Sequence, residues 1–111
     1  MQTSRFEARV QLGHEAAVVE LEGDIDGSAE AALEAAYAEA ARHEARVVRL
    51  DFSDVAYINS TGIALLVGLL AQGRRDRVEL EAEGLSDHYR EIFEITRIAD
   101  FVRIIPDGHA S

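Results

Sequence analysis

Asn59, Ser60 and Thr61 are three short polar side chains at the junction between an apolar run, Val47, Val48, Leu50 and Phe52, and a second one from Ile63 to Ala71. Such side chains accept hydrogen bonds from the orphan N–H groups of a first helical turn, so capping is the immediate chemistry available to them. Nucleophilic catalysis by Ser60 is not supported. The residue lacks a Gly-x-Ser-x-Gly elbow, and His14, His43, His88 and His109 are scattered with none placed to serve as its base. No His-x-x-x-His pair offers a metal site. Asp24-Ile25-Asp26-Gly27 begins like a calcium loop but lacks the later ligands and the distal acid. Gly62 and Gly68 fall within a helical pattern, so no phosphate loop supports a nucleotide-binding domain. No metal, cofactor or catalytic residue is expected, and the chain reads as a non-enzyme.

The elements around this junction follow from periodicity. Phe6, Ala8, Val10 and Leu12 alternate with Glu7, Arg9 and Gln11, the period of a half-exposed strand. Gly13-His14-Glu15 reads as the turn of a hairpin into a second strand with Ala17, Val18, Val19 and Leu21, ended by the segment 23–27. Ser28 is the expected N-cap of an alanine-rich helix reaching about His43, with Leu33, Tyr37, Ala40 and Ala41 inward. A third strand, expected over 46–52, carries side chains suited to cover on both faces. The second helix is expected over 60–72 with Gly73 as its stop, which leaves Arg74-Arg75-Asp76-Arg77 as a solvated turn. A fourth strand over 78–82 ends before Gly84. Ser86 and Asp87 start a third helix with Tyr89, Ile92, Phe93 and Ile95 inward, and a last strand covers 101–105. This β-β-α-β-α-β-α-β order predicts an α/β fold, a mixed sheet with right-handed crossovers and helices mainly on one face.

The 111 residues fit one domain over 1–111, with 106–111 as a frayed tail. Absence of cysteine excludes disulfides and thiolate chemistry. No apolar run approaches the roughly 20 residues of a membrane span. A cytoplasmic protein with no membrane insertion is expected. A net charge of −10, from 21 acidic and 11 basic residues, repels phosphate backbones and argues against nucleic acid. It suits a partner protein with a basic patch.

Asp51, Ser53, Val55, Tyr57, Ile58, Ser60, Thr61 and Gly62 together resemble the signature of the STAS domain, the fold of bacterial anti-sigma factor antagonists, and the element order resembles that family over nearly the whole chain. The resemblance implies that Ser60 is a phosphoacceptor, with Asp26, Asn59, Thr61 and Gly62 beside it. Asn59 stands where the family usually has Asp, keeping the cap without the charge. The resemblance further implies binding of an anti-sigma factor with serine kinase activity, release on phosphorylation, and reversal by a PP2C-type phosphatase. The alternative is a constitutive STAS scaffold, or an accessory subunit of a sensory complex or transport system. Ile63, Leu66, Val67 and Leu70 are expected to face the sheet. Ala64, Leu65, Gly68 and Leu69 then form the partner-binding side, with Leu65 and Leu69 available for docking.

Overall fold

The computed structural model describes residues 6–13 and 16–106. The hairpin turn at His14 and Glu15, and Asp107 to Ser111 of the expected tail, lie outside the described residues.

Two antiparallel strands, β1 (Glu7–Leu12) and β2 (Ala16–Ile25), open the chain, and their hairpin closes with the Gly13 N–H donating to the Ala16 carbonyl at 3.0 Å. Helix α1 (Glu30–Arg42), strand β3 (Val47–Ile58), helix α2 (Ser60–Asp76), strand β4 (Glu79–Glu83), helix α3 (Asp87–Ile95) and strand β5 (Arg103–Ile104) then alternate. The five strands lie in the order β1-β2-β3-β4-β5, with every pair after the first parallel. Each crossover steps the same way along the sheet, and right-handed connections of that kind bring all three helices to one face. The expected fold class and element order are those observed.

Burial follows that layering. Val19 and Leu21 of β2, Val48, Leu50 and Phe52 of β3, and Leu80 and Ala82 of β4 are buried against Leu33, Ala36, Tyr37 and Ala40 of α1, Leu66, Leu69 and Leu70 of α2, and Phe93 of α3. Phe52 and Phe93 meet edge to face with centroids 6.0 Å apart, an arrangement their quadrupoles favour. The alternate residues point to the uncovered face. There Arg9 pairs with Glu7, Glu20 and Glu22, and Arg49 pairs with Glu81 at 3.0 Å. β3 is therefore covered on one face only, not on both: Val47, Arg49 and Asp51 stay half-buried among charged neighbours.

Several boundaries differ from those expected. β2 continues through Gly23 to Ile25, accommodated by register shifts between Glu20 and Glu22 and between Gly23 and Asp24. β3 runs six residues past Phe52 because polar Ser53 and Asp54 are tolerated on a half-solvated ribbon. α2 does not stop at Gly73. That glycine is buried within the helix where a Cβ would come 2.7 Å from Leu80 Cδ1, and the helix ends only at Arg77, in the left-handed region. Arg74, Arg75 and Asp76 are thus its last turn. Ile95 is 70 % exposed rather than inward, and β5 is reduced to two residues because a 3-10 turn over Ile98–Asp100 precedes it.

Candidate functional site

β3 is longer than its neighbour on one side. Its pairing with β4 ends at Asp51 opposite Glu83, after which Gly84, with φ of +77°, turns the chain away; a Cβ there would press on the Ser53 hydroxyl and lie 2.8 Å from Ser53 N. From Phe52 to Ile58 the strand has, among the described residues, only β2 as a strand partner, so β2 and β3 form a two-stranded ribbon projecting past the sheet. On the open side of the ribbon the Ile58 N–H donates to the Tyr89 hydroxyl of α3 at 2.9 Å, which replaces the missing strand.

At the ribbon's tip the Asn59 N–H donates to the Ile25 carbonyl at 3.2 Å. The Asn59 side chain accepts from Gly62 N at 2.8 Å, and its carbonyl accepts from Ile63 N at 2.9 Å. Asn59 is thus the N-cap of α2, which leaves Ser60 as the first helical residue with an exposed side chain. The Ser60 hydroxyl makes no hydrogen bond with the described residues, so capping is not its role. Thr61 is also exposed, and its methyl faces Gly27, where a Cβ would lie 3.5 Å away. Gly62 is buried: a Cβ on it would overlap the Ile25 carbonyl oxygen, so only glycine lets the first turn of α2 press onto the end of β2.

Asp26 follows Ile25 directly. Its carboxylate accepts from Ser28 N at 2.9 Å and from the Ser28 hydroxyl at 2.6 Å, capping the 3-10 turn Gly27–Ala29 that leads into α1. Ser28, expected as the cap, is instead its donor, because the Asp26 carboxylate reaches both Ser28 groups. These hydrogen bonds hold the Asp26 carboxyl below its usual range, so it is charged at neutral pH. The structure therefore brings Asp26, Asn59, Ser60, Thr61 and Gly62 to one end of the domain.

The side of α2 facing α1 forms a groove of about 800 Å³. Ala64, Leu65, Gly68 and Leu69 line it together with Leu33 and Tyr37, and Glu30 and Glu34 stand on its α1 rim. Leu69 is 7 % exposed and forms part of the floor, so it is not free for docking as expected; Leu65 is half-buried. Val67, expected against the sheet, is 46 % exposed. The helix is apolar on all sides, so its periodicity carries no phase, and α1 settles the rotation by covering Leu69. At the groove's far end the Tyr37 hydroxyl donates to the Asp76 carboxylate at 2.8 Å. Burial, then this bond, push the phenol's pKa above its ordinary value, and the bond from Tyr37, then that from Gln72, hold Asp76 below its own. Sequence reasoning missed this pair and the Tyr89 contact, since neither partner is near the other in the chain.

Among the described residues no cluster of His, Cys, Asp or Glu could hold a metal ion, and no helix is long and apolar enough to cross a membrane. The family model described as "Mlab, STAS domain" matches residues 8–106. The anti-sigma-B factor antagonist of Listeria monocytogenes is 39 % identical over 61 residues, which is 55 % of this chain and 54 % of the relative. The chain thus spans about half the length of that curated relative. Among solved structures, an anti-sigma factor antagonist from Mycobacterium paratuberculosis superposes with a TM-score of 0.71 at 21 % identity, covering 92 % of this chain and 86 % of that one. The Bacillus cell fate determinant SpoIIAA in its phosphorylated form gives 0.67 at 18 % identity, covering 96 % of each chain. At these identities the superpositions speak for the fold alone. With its strand order, its Ser-Thr-Gly helix start and a family match over nearly the whole described chain, the protein belongs to the STAS domain family.

Proposed function

We propose that the chain is an anti-sigma factor antagonist that works by partner switching. In this reading it acts in the cytoplasm as a binding module and kinase substrate, with no catalytic step of its own. Unphosphorylated, it binds an anti-sigma factor with serine kinase activity; that kinase transfers the γ-phosphate of ATP to the Ser60 hydroxyl, the complex parts, and a PP2C-type phosphatase restores the serine.

The observation that carries this reading is the division of labour at the helix start. Asn59 does the capping, which leaves the Ser60 hydroxyl exposed and without a hydrogen bond to the described residues. Phosphoserine carries about −1.5 to −2 charges at pH 7, and a helix N-terminus stabilises an anion by roughly 0.3–1 kcal/mol, so the modified domain stays folded. At a partner interface the new phosphate must shed water or meet like charge. Opposing effects of a few kcal/mol lower affinity about ten- to a thousandfold. The groove along Ala64, Leu65, Gly68 and Leu69 begins one helical turn from Ser60, and its Glu30 and Glu34 rim suits a partner segment that is apolar with a basic flank.

A second reading, a constitutive scaffold or accessory subunit, is favoured by Asn59, which offers the cap without the usual charge. The two separate on phosphomimicry. Under switching, Ser60→Ala keeps affinity for the cognate anti-sigma factor, Ser60→Asp loses at least tenfold, and mass spectrometry after incubation with that kinase and ATP finds phosphate on Ser60. Equal binding by both variants supports the scaffold.

A further inference from the structure

Ser60 and Arg74 lie fourteen residues apart on α2, about 21 Å along its axis. On the flank away from α1, Val67, Ala71 and Arg74 face the segment that follows α3, and an apolar depression of about 200 Å³ lies between them. Leu70 and Ile98 are its buried floor; Val67 and Phe101, 46 % and 50 % exposed, are its walls. Of the residues lining it, two are arginines and none is acidic. Arg97 is held by Asp100 at 2.8 Å. Arg74 lies 5.1 Å above the centre of the Phe101 ring and has no carboxylate partner among the described residues. An unpaired guanidinium stacked on a half-exposed aromatic, beside an apolar hollow, stands out on a chain whose net charge is −10.

We infer that this depression is a second docking surface, for an acidic amphipathic segment of a partner protein. The segment seats an apolar side chain between Val67 and Phe101 and offers a carboxylate to Arg74. Stacking on Phe101 fixes the guanidinium plane while leaving its N–H fork free for two-pronged recognition. A phosphoryl group at the opposite end of α2 is more than two Debye lengths away at physiological salt, so occupancy here is independent of the state of Ser60. A second copy of this chain, at −10, or an anionic membrane would set its charge against the whole acidic surface, whereas a short segment brings a few carboxylates to Arg74 alone.

The test uses the full 15N-labelled chain in 50 mM salt and a synthetic 14-residue peptide with leucines at i, i+3 and i+7 flanked by glutamates. The expected result is amide shifts confined to Val67, Ala71, Arg74, Arg97 and Phe101, with those of Ser60 and Thr61 unmoved. Arg74→Glu weakens binding at least tenfold while the spectrum of the core is retained, and Phe101→Ala, which removes the stacking partner of Arg74 and a wall of the depression, gives an independent loss should the first variant misfold. The inference is overturned if the same peptide with lysine in place of glutamate binds as well, if shifts fall in the α1–α2 groove, or if Arg74→Glu leaves affinity unchanged. It is equally overturned if the peptide fails to bind while phosphatidylglycerol vesicles, or the chain itself in sedimentation equilibrium, show association that depends on Arg74.

Discussion

The same substitution at two glycines of α2 should move stability in opposite directions. A Cβ on Gly62 overlaps the Ile25 carbonyl oxygen, lies 2.8 Å from the Ile25 carbonyl carbon and 3.0 Å from Ile58 Cγ2. The first two are backbone atoms of a strand end and cannot rotate aside, so the helix start must lift by about 1.5 Å to bring the overlapping oxygen to an ordinary contact distance near 3.5 Å. Overpacking of that kind costs about 1–3 kcal/mol, and stretching the 3.2 Å bond from Asn59 N–H to Ile25 adds about 1 kcal/mol. The better helix propensity of alanine returns up to about 1 kcal/mol. Gly62→Ala should therefore lose about 1–3 kcal/mol, a large share of a marginal total of roughly 5–15 kcal/mol. Gly68 is exposed, and a Cβ on it meets nothing within 4 Å. With only the propensity change acting, Gly68→Ala should gain about 0.5–1 kcal/mol. Urea unfolding followed by circular dichroism reads both, with unchanged slopes showing that the surface exposed on unfolding is the same in each variant. A Gly62→Ala midpoint equal to wild type, or a destabilised Gly68→Ala, would falsify the packing argument. Because Gly68 lines the α1–α2 groove, the stabilised variant should also, under the proposed function, bind the proposed anti-sigma partner less tightly.

Replacing Tyr89 by Phe leaves the Ile58 N–H without its partner and should cost about 1–2 kcal/mol; amide exchange at Ile58 should quicken roughly tenfold per 1.4 kcal/mol, and unchanged exchange there would exclude the Tyr89 bond as the prop of the ribbon. Tyr37→Phe tests the bond to Asp76 through pH. The folded-state phenol pKa is raised, so its stabilisation is complete below the unfolded value near 10 and falls as pH climbs toward the folded one; the Asp76 pKa is lowered, so its contribution is present above about 3.9 and falls as pH drops through the folded value. The stability difference between wild type and Tyr37→Phe should thus be greatest on a plateau from about pH 4 to 10 and shrink on both sides, and a difference independent of pH from 2.5 to 11 would rule out that linkage.

The element order was legible because most strands and helices of this chain carry a period or a start signal: Phe6 to Leu12 alternates, Ser86 caps the helix it precedes, and the parallel crossovers then have one handed solution. What was not legible depends on neighbours. Gly73 looks like a helix stop in isolation, yet it is small because Leu80 needs its space. Ser53 and Asp54 look like a strand end, yet a ribbon with one solvated face keeps them in register. Ser60 carries an exposed side chain while the capping goes to Asn59, a choice decided by which side chain reaches Gly62 N. The rotation of α2 could not be read at all from residues apolar on every side.

The mismatch in length between β3 and β4 has a kinetic consequence. The last stretch of β3, leading up to Ser60, is tied on one side by β2 and on the other by a single phenol, whereas the strands below are stitched on both sides. Fraying of this overhang requires far fewer bonds to break than melting the sheet, so the segment an enzyme would need to grip can yield while the core stays intact. Opening of the overhang and stability of the fold are thereby governed by different sets of contacts, and selection can tune the speed of the one without endangering the other.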